Sequence, residues 1–537
     1  MKTLIRSSSN ILSHSGIIDK YNLKNRILFS DYGELFSNLK TSYNNEAIIV
    51  FLQDLIDIYN INKKNNTLKI KIFLKNIEYK LKNKSKKFIL LFSTFDHLNV
   101  LNNLKHLNSY EENKKKIVNQ LYKLTKKNEN FYLIDLDKAF ATEGYNNIFD
   151  NRNYYLTRCR LSLNGLDILF KNIKLVIERI YVSNKKILLL DCDNTLWGGV
   201  LGEDGFQNIT IGTDGIGLAF LDFQKTIKYL KNRGILLGLV SKNDENDVKK
   251  VLKEHSSMIL KNSDITTFKV NWNEKYKNIK EISEELSLGL DSFVFWDDNP
   301  VEREKVRINL KDLEVIEPDK DISNWSKQLL EYPGFTKFKT TKEDLNKTKQ
   351  YKNRSLFISN KNKSKNETEY LKSISLKPSI VRLAKDNLQR AEQLCQKTNQ
   401  FNFTTKRYNI DQLRKLNKTH NCFLVSLSDI YGYHGLIALL VLKDSNKEIL
   451  IDTFIMSCRI LGRNVENWIL YQIVKIAKKK KIKFIYSDYK RSEKNLIAKN
   501  FLENNNFKKV KLNGTKKYKF DISNQIKNIS HFNENYR

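Results

Sequence analysis

Four short phrases of this 537-residue chain set reactive side chains at the ends of apolar runs. KKILLLDCDNTLWGG delivers Asp191 and Asp193, with Thr195 just behind. ILLGLVSKND delivers Ser241 and Asn243. NWNEKYKNIK delivers Lys275, with Lys277 as a possible substitute, and FVFWDDNPVE delivers Asp297 and Asp298. Two pairs of acids, a hydroxyl and an ammonium are the parts of a phosphoryl-transfer site. A carboxylate and a phosphate approach each other only if a divalent cation and a lysine offset their repulsion. Magnesium suits a site of oxygen donors with few protein ligands. The plain alternative is a set of exposed turns, where Asp, Asn and Thr are common anyway. One acid pair fits that alternative equally well; four elements in order, each after a strand-length apolar run, do not.

Strand ends can converge only in an open sheet, where ligand-binding residues sit at the carboxyl ends of parallel strands. ILLLDCD, ILLGLVS, SSMIL, FVFWDD and LEVIE read as the strands of such a sheet over residues 181–320, with helices between them. Residues 20–180 show the same alternation: NRILFS, AIIVFL, KFILLF and FYLIDL are separated by Lys-rich helical stretches, which implies a second parallel sheet covered on both faces. From 321 to 372 the sequence turns polar and reads as a helical linker or mobile arm. A third unit over 373–525 combines strands (CFLVSLSD, LIALLVLK, ILIDTFIMS, KFIYSDY) with a long helix from Val465. The expected class is α/β in three domains.

The net charge of +34 would ordinarily suggest nucleic acid, but the Lys excess is spread over the whole chain among Asn and Ile rather than gathered in a patch. Neither a nucleic-acid nor a membrane partner is expected. Five cysteines at wide spacing, with no CxxC, exclude a disulfide framework and a zinc cluster and suit a reducing compartment. The basic first residues lack a signal-peptide apolar core, and no run reaches the ~20 apolar residues of a membrane span. A cytoplasmic location is the expectation.

DCDNT, Ser241, Lys275 and Asp297–Asp298 resemble the four motifs of the haloacid dehalogenase (HAD) superfamily. The resemblance implies that Asp191 is the nucleophile on phosphorus and Asp193 the acid and base. Asp191, the backbone at Asp193 and one of the Asp297–Asp298 pair, Asp297 first, would hold Mg2+, and Thr195 and Asn243 would line the phosphate. Longer phrases, DCDNTLWGGVLGEDG, NWNEKYKNIKEI, DSFVFWDDNPVERE, TNQFNFTT and DTFIMSCRILGRNVE, resemble the FkbH-like proteins of HAD subfamily IIIC over residues 25–510. That resemblance implies an SGNH-hydrolase-like (flavodoxin-like) α/β domain, a HAD-type Rossmannoid sheet with a minimal cap and a GNAT-like α+β domain. The gaps from Asp191 to Ser241 and from there to Lys275 are too short for a lid domain, which favours a bulky or tethered substrate.

An SGNH hydrolase needs a nucleophilic serine after the first strand and a late histidine base. FSDYGE offers Ser30, but no histidine lies between His106 and His255, so the serine is not activated and the domain is expected to be structural or partner-binding. In the GNAT-like unit, RILGRN opens the long helix, and the helix-N-terminal amides around Arg459, Gly462, Arg463 and Asn464 could hold the pyrophosphate of coenzyme A or the phosphate of a phosphopantetheine arm. Asn464 departs from the usual small residue, and Leu502 stands where such enzymes place a general-acid tyrosine, which speaks against ordinary amine acetylation. Cys458 precedes this loop and could take an acyl group as a thioester; the alternative is a buried small apolar residue. His434 could be its base or a turn histidine, and Cys192 packs behind the aspartates.

The resemblance implies an enzyme that couples phosphate removal from an acyl phosphate such as 1,3-bisphosphoglycerate to glyceryl transfer onto an acyl carrier protein, in polysaccharide or natural-product biosynthesis. The alternative is a phosphatase fused to an N- or O-acyltransferase acting on sugar intermediates. Neither composition nor spacing gives the acyl unit.

Overall fold

The computed structural model describes all residues except 1, 12–15, 24–25, 38–41, 57–62, 84–85, 97–108, 129, 182–184, 337–345, 445–447, 493–494, 513–514, 525–528 and 533–537. The chain divides into two compact units, Met1–Val182 and Ser183–Arg537. No helix among the described residues is long and apolar enough to cross a membrane.

The first unit is a five-stranded parallel sheet of β1 (Thr3–Ser7), β2 (Ile27–Phe29), β3 (Asn45–Phe51), β4 (Lys87–Ser93) and β5 (Phe131–Asp135), in the order β2-β1-β3-β4-β5. Every pairing is parallel. This is the doubly wound order of flavodoxin-like sheets. Helices Lys63–Leu81 and Ser109–Lys127 cover one face and Leu163–Tyr181 the other. β1 lies upstream of the boundary at residue 20 read from the sequence, so NRILFS is the second strand. The serines that follow the first strand are therefore those of the Ser7–Ser9 run, and Ser30 follows the second.

The second unit holds two sheets. Its first comprises β6 (Ile187–Leu190), β7 (Leu236–Ser241), β8 (Thr267–Val270), β9 (Phe293–Trp296) and β10 (Glu314–Val315), all parallel in the order β10-β9-β6-β7-β8. β6 is central and its four residues are buried, as a continuous apolar run should be when helices cover both faces. SSMIL is not a strand. The Gln224 side chain accepts the amides of Ile259 and Leu260 at 3.1 and 3.2 Å, taking the place of a neighbouring strand. The edge position falls to β8, whose TFKV is a weaker apolar signal. The insert after β6 is small: a bridge between Gly198 and Thr210 encloses the short Leu201–Asp204 helix.

The second sheet of this unit contains β11 (Lys377–Arg382), β12 (Asn421–Asp429), β13 (Gly432–Asp444), β14 (Glu448–Met456), β15 (Phe484–Ser487), β16 (Lys508–Leu512) and β17 (Thr515–Asp521), in the order β11-β12-β13-β14-β15-β17-β16. All its pairings are antiparallel except β14 with β15, which the Val465–Lys479 helix connects. This is the mixed sheet expected of a GNAT-like unit.

The stretch expected to be a linker or mobile arm carries helix Lys347–Lys363, which is wedged between the two sheets of the unit. Phe357 is fully buried in the core of the mixed sheet, while Tyr351 packs on the core of the parallel one. Its polar composition hides the wedge because several of its polar side chains bond to the flanking structure while others face water. Ser355 donates to Glu285 and Asn353 to the Tyr431 carbonyl, and Lys352 donates to the Asn262 carbonyl at 2.7 Å.

Candidate active site

Asp191 follows β6 directly, and its backbone N–H donates to the Trp296 carbonyl at 3.1 Å, continuing the pairing with β9. The central strand thereby sets its carboxylate beside Asp297, which follows β9. Lys275, first residue of helix Lys275–Leu286, reaches between them: its Nζ lies 2.7 Å from Asp297 Oδ2 and 3.0 Å from Asp191 Oδ1. All three side chains are buried. Asp191, Asp297 and Asp298 offer carboxylate oxygens that lie within 4.8 Å of one another.

One ammonium does not balance three acids. Burial, and then the charge of Asp191, push Asp297 up to about 7 and raise Asp298 as well. The Lys275 ammonium is held in its charged form, because the attraction of Asp191 and Asp297 outweighs the largest influence, its burial. Asp191 Oδ1, although paired with Lys275, accepts no well-aligned hydrogen bond. A buried oxygen without an aligned donor, in a cluster of hard donors short of positive charge, fits Mg2+ held by Asp191, Asp297 and Asp298.

The Asp193 side chain is not part of that cluster, so only the backbone at this position is left to contribute to metal binding. Its Oδ1 accepts from Trp197 Nε1 and the Leu201 amide, both at 3.0 Å, and Oδ2 accepts from Asn243 Nδ2 at 2.7 Å. Burial raises its pKa, against these hydrogen bonds, and so favours a carboxyl that can carry a proton. Asn243 therefore bonds the acid rather than standing free for phosphate. Thr195 likewise donates to Asp298 Oδ1 at 3.2 Å. Ser241 ends β7, buried, and its hydroxyl bonds the fully buried Cys192 thiol, whose pKa desolvation raises. Lys277 has no place in the cluster.

Arg303 was not singled out in the sequence. It is buried, and its Nη1 donates to the carbonyls of Asp297 (2.8 Å) and Asp298 (2.6 Å), fixing the acidic turn, while Glu317 offsets its charge. The only sequence signal is its place in NPVERE, one turn into the helix that follows the acids.

Around Cys458 the side chains are arranged differently. Cys458 is half-buried and opens a turn, Cys458–Ile460, after β14. Arg459 donates to the His434 carbonyl and to Gln350 Oε1, both at 2.7 Å. Arg463, fully buried, donates through Nε to Asp429 Oδ2 at 2.9 Å and stacks 3.9 Å from the Phe357 ring. Both guanidinium groups are thus engaged inside the fold, which leaves the backbone amides of this loop as the groups that could meet a phosphate. Gly462 (φ 90°) and Asn464 (φ 62°) do bend the backbone into the left-handed region at the helix start. His434 Nε2 lies 2.9 Å from Asp429 Oδ1, and no hydrogen bond among the described residues joins it to Cys458. The expected base therefore belongs to a buried Asp429–His434–Arg463 cluster.

No protein-family model and no curated protein matches the chain. Among solved structures, the N-terminal part of the Bacteroides fragilis protein BF1531, containing a phosphatase domain and complexed with Mg, is similar to it. That likeness has 28% identity and a TM-score of 0.55, and covers 62% of this chain and 93% of the other. The ribosomal-protein-S18-alanine N-acetyltransferase of Escherichia coli also aligns, at 11% identity over 28% of this chain and 99% of its own, with a TM-score of 0.22. A GNAT-family acetyltransferase of Staphylococcus aureus aligns at 14% identity over 27% of this chain and 99% of its own, also with a TM-score of 0.22.

Proposed function

We propose that this chain is a magnesium-dependent FkbH-like enzyme of the HAD-IIIC type that removes phosphate from a phosphorylated acyl phosphate such as 1,3-bisphosphoglycerate. It passes the acyl group to the thiol of an acyl carrier protein. The observation that carries the reading is the buried trio Asp191–Lys275–Asp297, with Asp193 held apart and protonatable. Likeness to a Mg-complexed phosphatase-domain structure supports it.

Asp191 attacks the ester phosphorus, the P–O ester bond breaks, and the leaving alkoxide takes its proton from Asp193. Asp193 then removes a proton from water, which attacks the aspartyl phosphate and frees inorganic phosphate. Mg2+ would lower the repulsion between Asp191 and the phosphate oxygens. Lys275 supplies the fixed positive charge beside Asp191, and Trp197, Leu201 and Asn243 keep Asp193 oriented.

In the second reaction Cys458 attacks the acyl carbon. A C–S bond forms, the C–O bond to the acyl phosphate breaks, and phosphate leaves with the thiol proton. Exchange with a phosphopantetheine thiol then loads the carrier and restores Cys458. Since Arg459 and Arg463 are engaged by the protein, a carrier-borne thiol suits the loop better than a coenzyme A cradle built on those side chains. Loss of the ester phosphate of 1,3-bisphosphoglycerate, dependent on Mg2+ and abolished in Asp191→Asn, tests the first half; phosphate leaving the acyl carbon at Cys458 is counted separately. A protein that releases phosphate but never acylates a carrier would shift the reading to a phosphatase fused to a sugar-directed acyltransferase.

A further inference from the structure

Arg354, in the wedge helix Lys347–Lys363, is a buried side chain that hydrogen-bonds on both sides of the wedge. It is 2% exposed. Toward the parallel sheet, Nε donates to the Glu285 carbonyl at 3.2 Å and Nη2 donates to Ser287 Oγ. Toward the mixed sheet, Nη1 donates to the carbonyls of Arg459 at 2.8 Å and Leu461 at 3.1 Å. Those acceptors are not arbitrary. Glu285 lies in the last turn of the helix whose first residue is Lys275, and Ser287 is its C-cap, in the left-handed region. Arg459 and Leu461 belong to the turn that Cys458 opens.

A twelve-residue helix is a stiff rod of about 18 Å. One end carries the ammonium that pairs Asp191 and Asp297; the other is held by a planar guanidinium that also holds the thiol-bearing turn. A ligand that changes the pairing of Lys275 therefore acts on the rod, and the rod's far end meets the Cys458 turn through one rigid group. We propose that Arg354 is a positioning residue that couples occupancy of the Asp191 phosphate site to the geometry of Cys458. The coupling rests on the phosphate reading of the Asp191 cluster. It would keep the thiol turn in register with the state of the phosphate site, which two reactions on one substrate require.

Cys458 is its own reporter, since the other four cysteines are buried. The experiment measures the alkylation rate of Cys458 by iodoacetamide, read by peptide mass, in the full chain with Mg2+ alone and with Mg2+ plus beryllofluoride as a mimic of phosphate on an aspartate. Fluorine NMR of the bound beryllofluoride is recorded in parallel. The expected result is a change in rate of about fivefold in the native protein. In Arg354→Lys, whose point charge cannot hold four acceptors in two directions, that change disappears while the bound fluorine signal remains. Ser287→Ala, which removes one acceptor and leaves the buried guanidinium in place, reduces the change and serves if Arg354→Lys does not fold. An unchanged rate in the native protein, or a full response in both variants, would overturn the proposal. Absence of any bound fluorine signal would overturn the phosphate reading and the coupling with it.

Discussion

The two parallel sheets of this chain place polar residues at the same address, the carboxyl ends of their strands, and do opposite things with them. After β1 and β3, Ser8 donates to Asp54 at 2.8 Å and accepts the Phe51 amide at 3.0 Å. Ser9 donates to the Arg158 carbonyl at 2.9 Å, and Arg160 pairs with Asp54. Each of these groups has a partner, and Arg160 offsets the charge of Asp54. After β6 and β9, three carboxylates share a single ammonium, and one buried oxygen lacks an aligned donor. Polar groups that satisfy each other hold a fold together; polar groups left short of charge are waiting for a ligand.

The sharpest way to break this contrast is to exchange an acid for its amide in each region. Asp191→Asn should lower Mg2+-dependent phosphate release about a thousandfold or more, whereas Asp54→Asn should leave it unchanged in a steady-state phosphate assay. Lys275→Met should cost about a hundredfold in the same assay, with the protein still folded by circular dichroism, because a preorganised charge beside the reacting phosphate is lost.

Metal sharpens the contrast further. Asp297, pushed up to about 7, carries its proton in both folded and unfolded chains below the ordinary value of 3.8 and contributes nothing there. As the pH rises from there toward 7, only the unfolded chain ionises, so the metal-free protein should lose stability, and above 7 the loss is complete. Mg2+ at a hundred times its dissociation constant should add about 3 kcal/mol to the Ser183–Arg537 unit and flatten that dependence. Thermal unfolding between pH 4 and 8 with Mg2+ or a chelator checks both. In the satisfied region the expected effect is structural and smaller. Arg160→Met, which leaves Asp54 half-buried without its cation, should cost the first unit about 2 kcal/mol in urea unfolding and leave phosphate release intact.

The acid cluster was legible because each of its residues follows an apolar strand, and periodicity finds such strands. Two signals were not legible. Arg303 and Arg354 act through backbone carbonyls brought together only by the fold, and a single arginine in a Lys-rich chain carries no local mark. β1 was hidden because TLIRS is short and interrupted by Arg6, yet Arg6 is buried, paired with Glu46 at 2.7 Å inside the sheet. The β16–β17 hairpin was hidden likewise by Lys residues alternating along KKVKL and TKKYKF. In the thiol loop the sequence did not reveal where the arginines of RILGRN go: they bond Asp429, Gln350 and a carbonyl.

The central claim, that phosphate removal and acyl transfer are joined in one chain, is tested most directly by intact-mass spectrometry. The protein is incubated with 1,3-bisphosphoglycerate, Mg2+ and a phosphopantetheinylated carrier protein. The account predicts a glyceryl adduct on the carrier that is absent in both Asp191→Asn and Cys458→Ala. An adduct that survives Cys458→Ala would contradict the thioester relay, and phosphate released with no adduct on any protein would contradict the coupling itself.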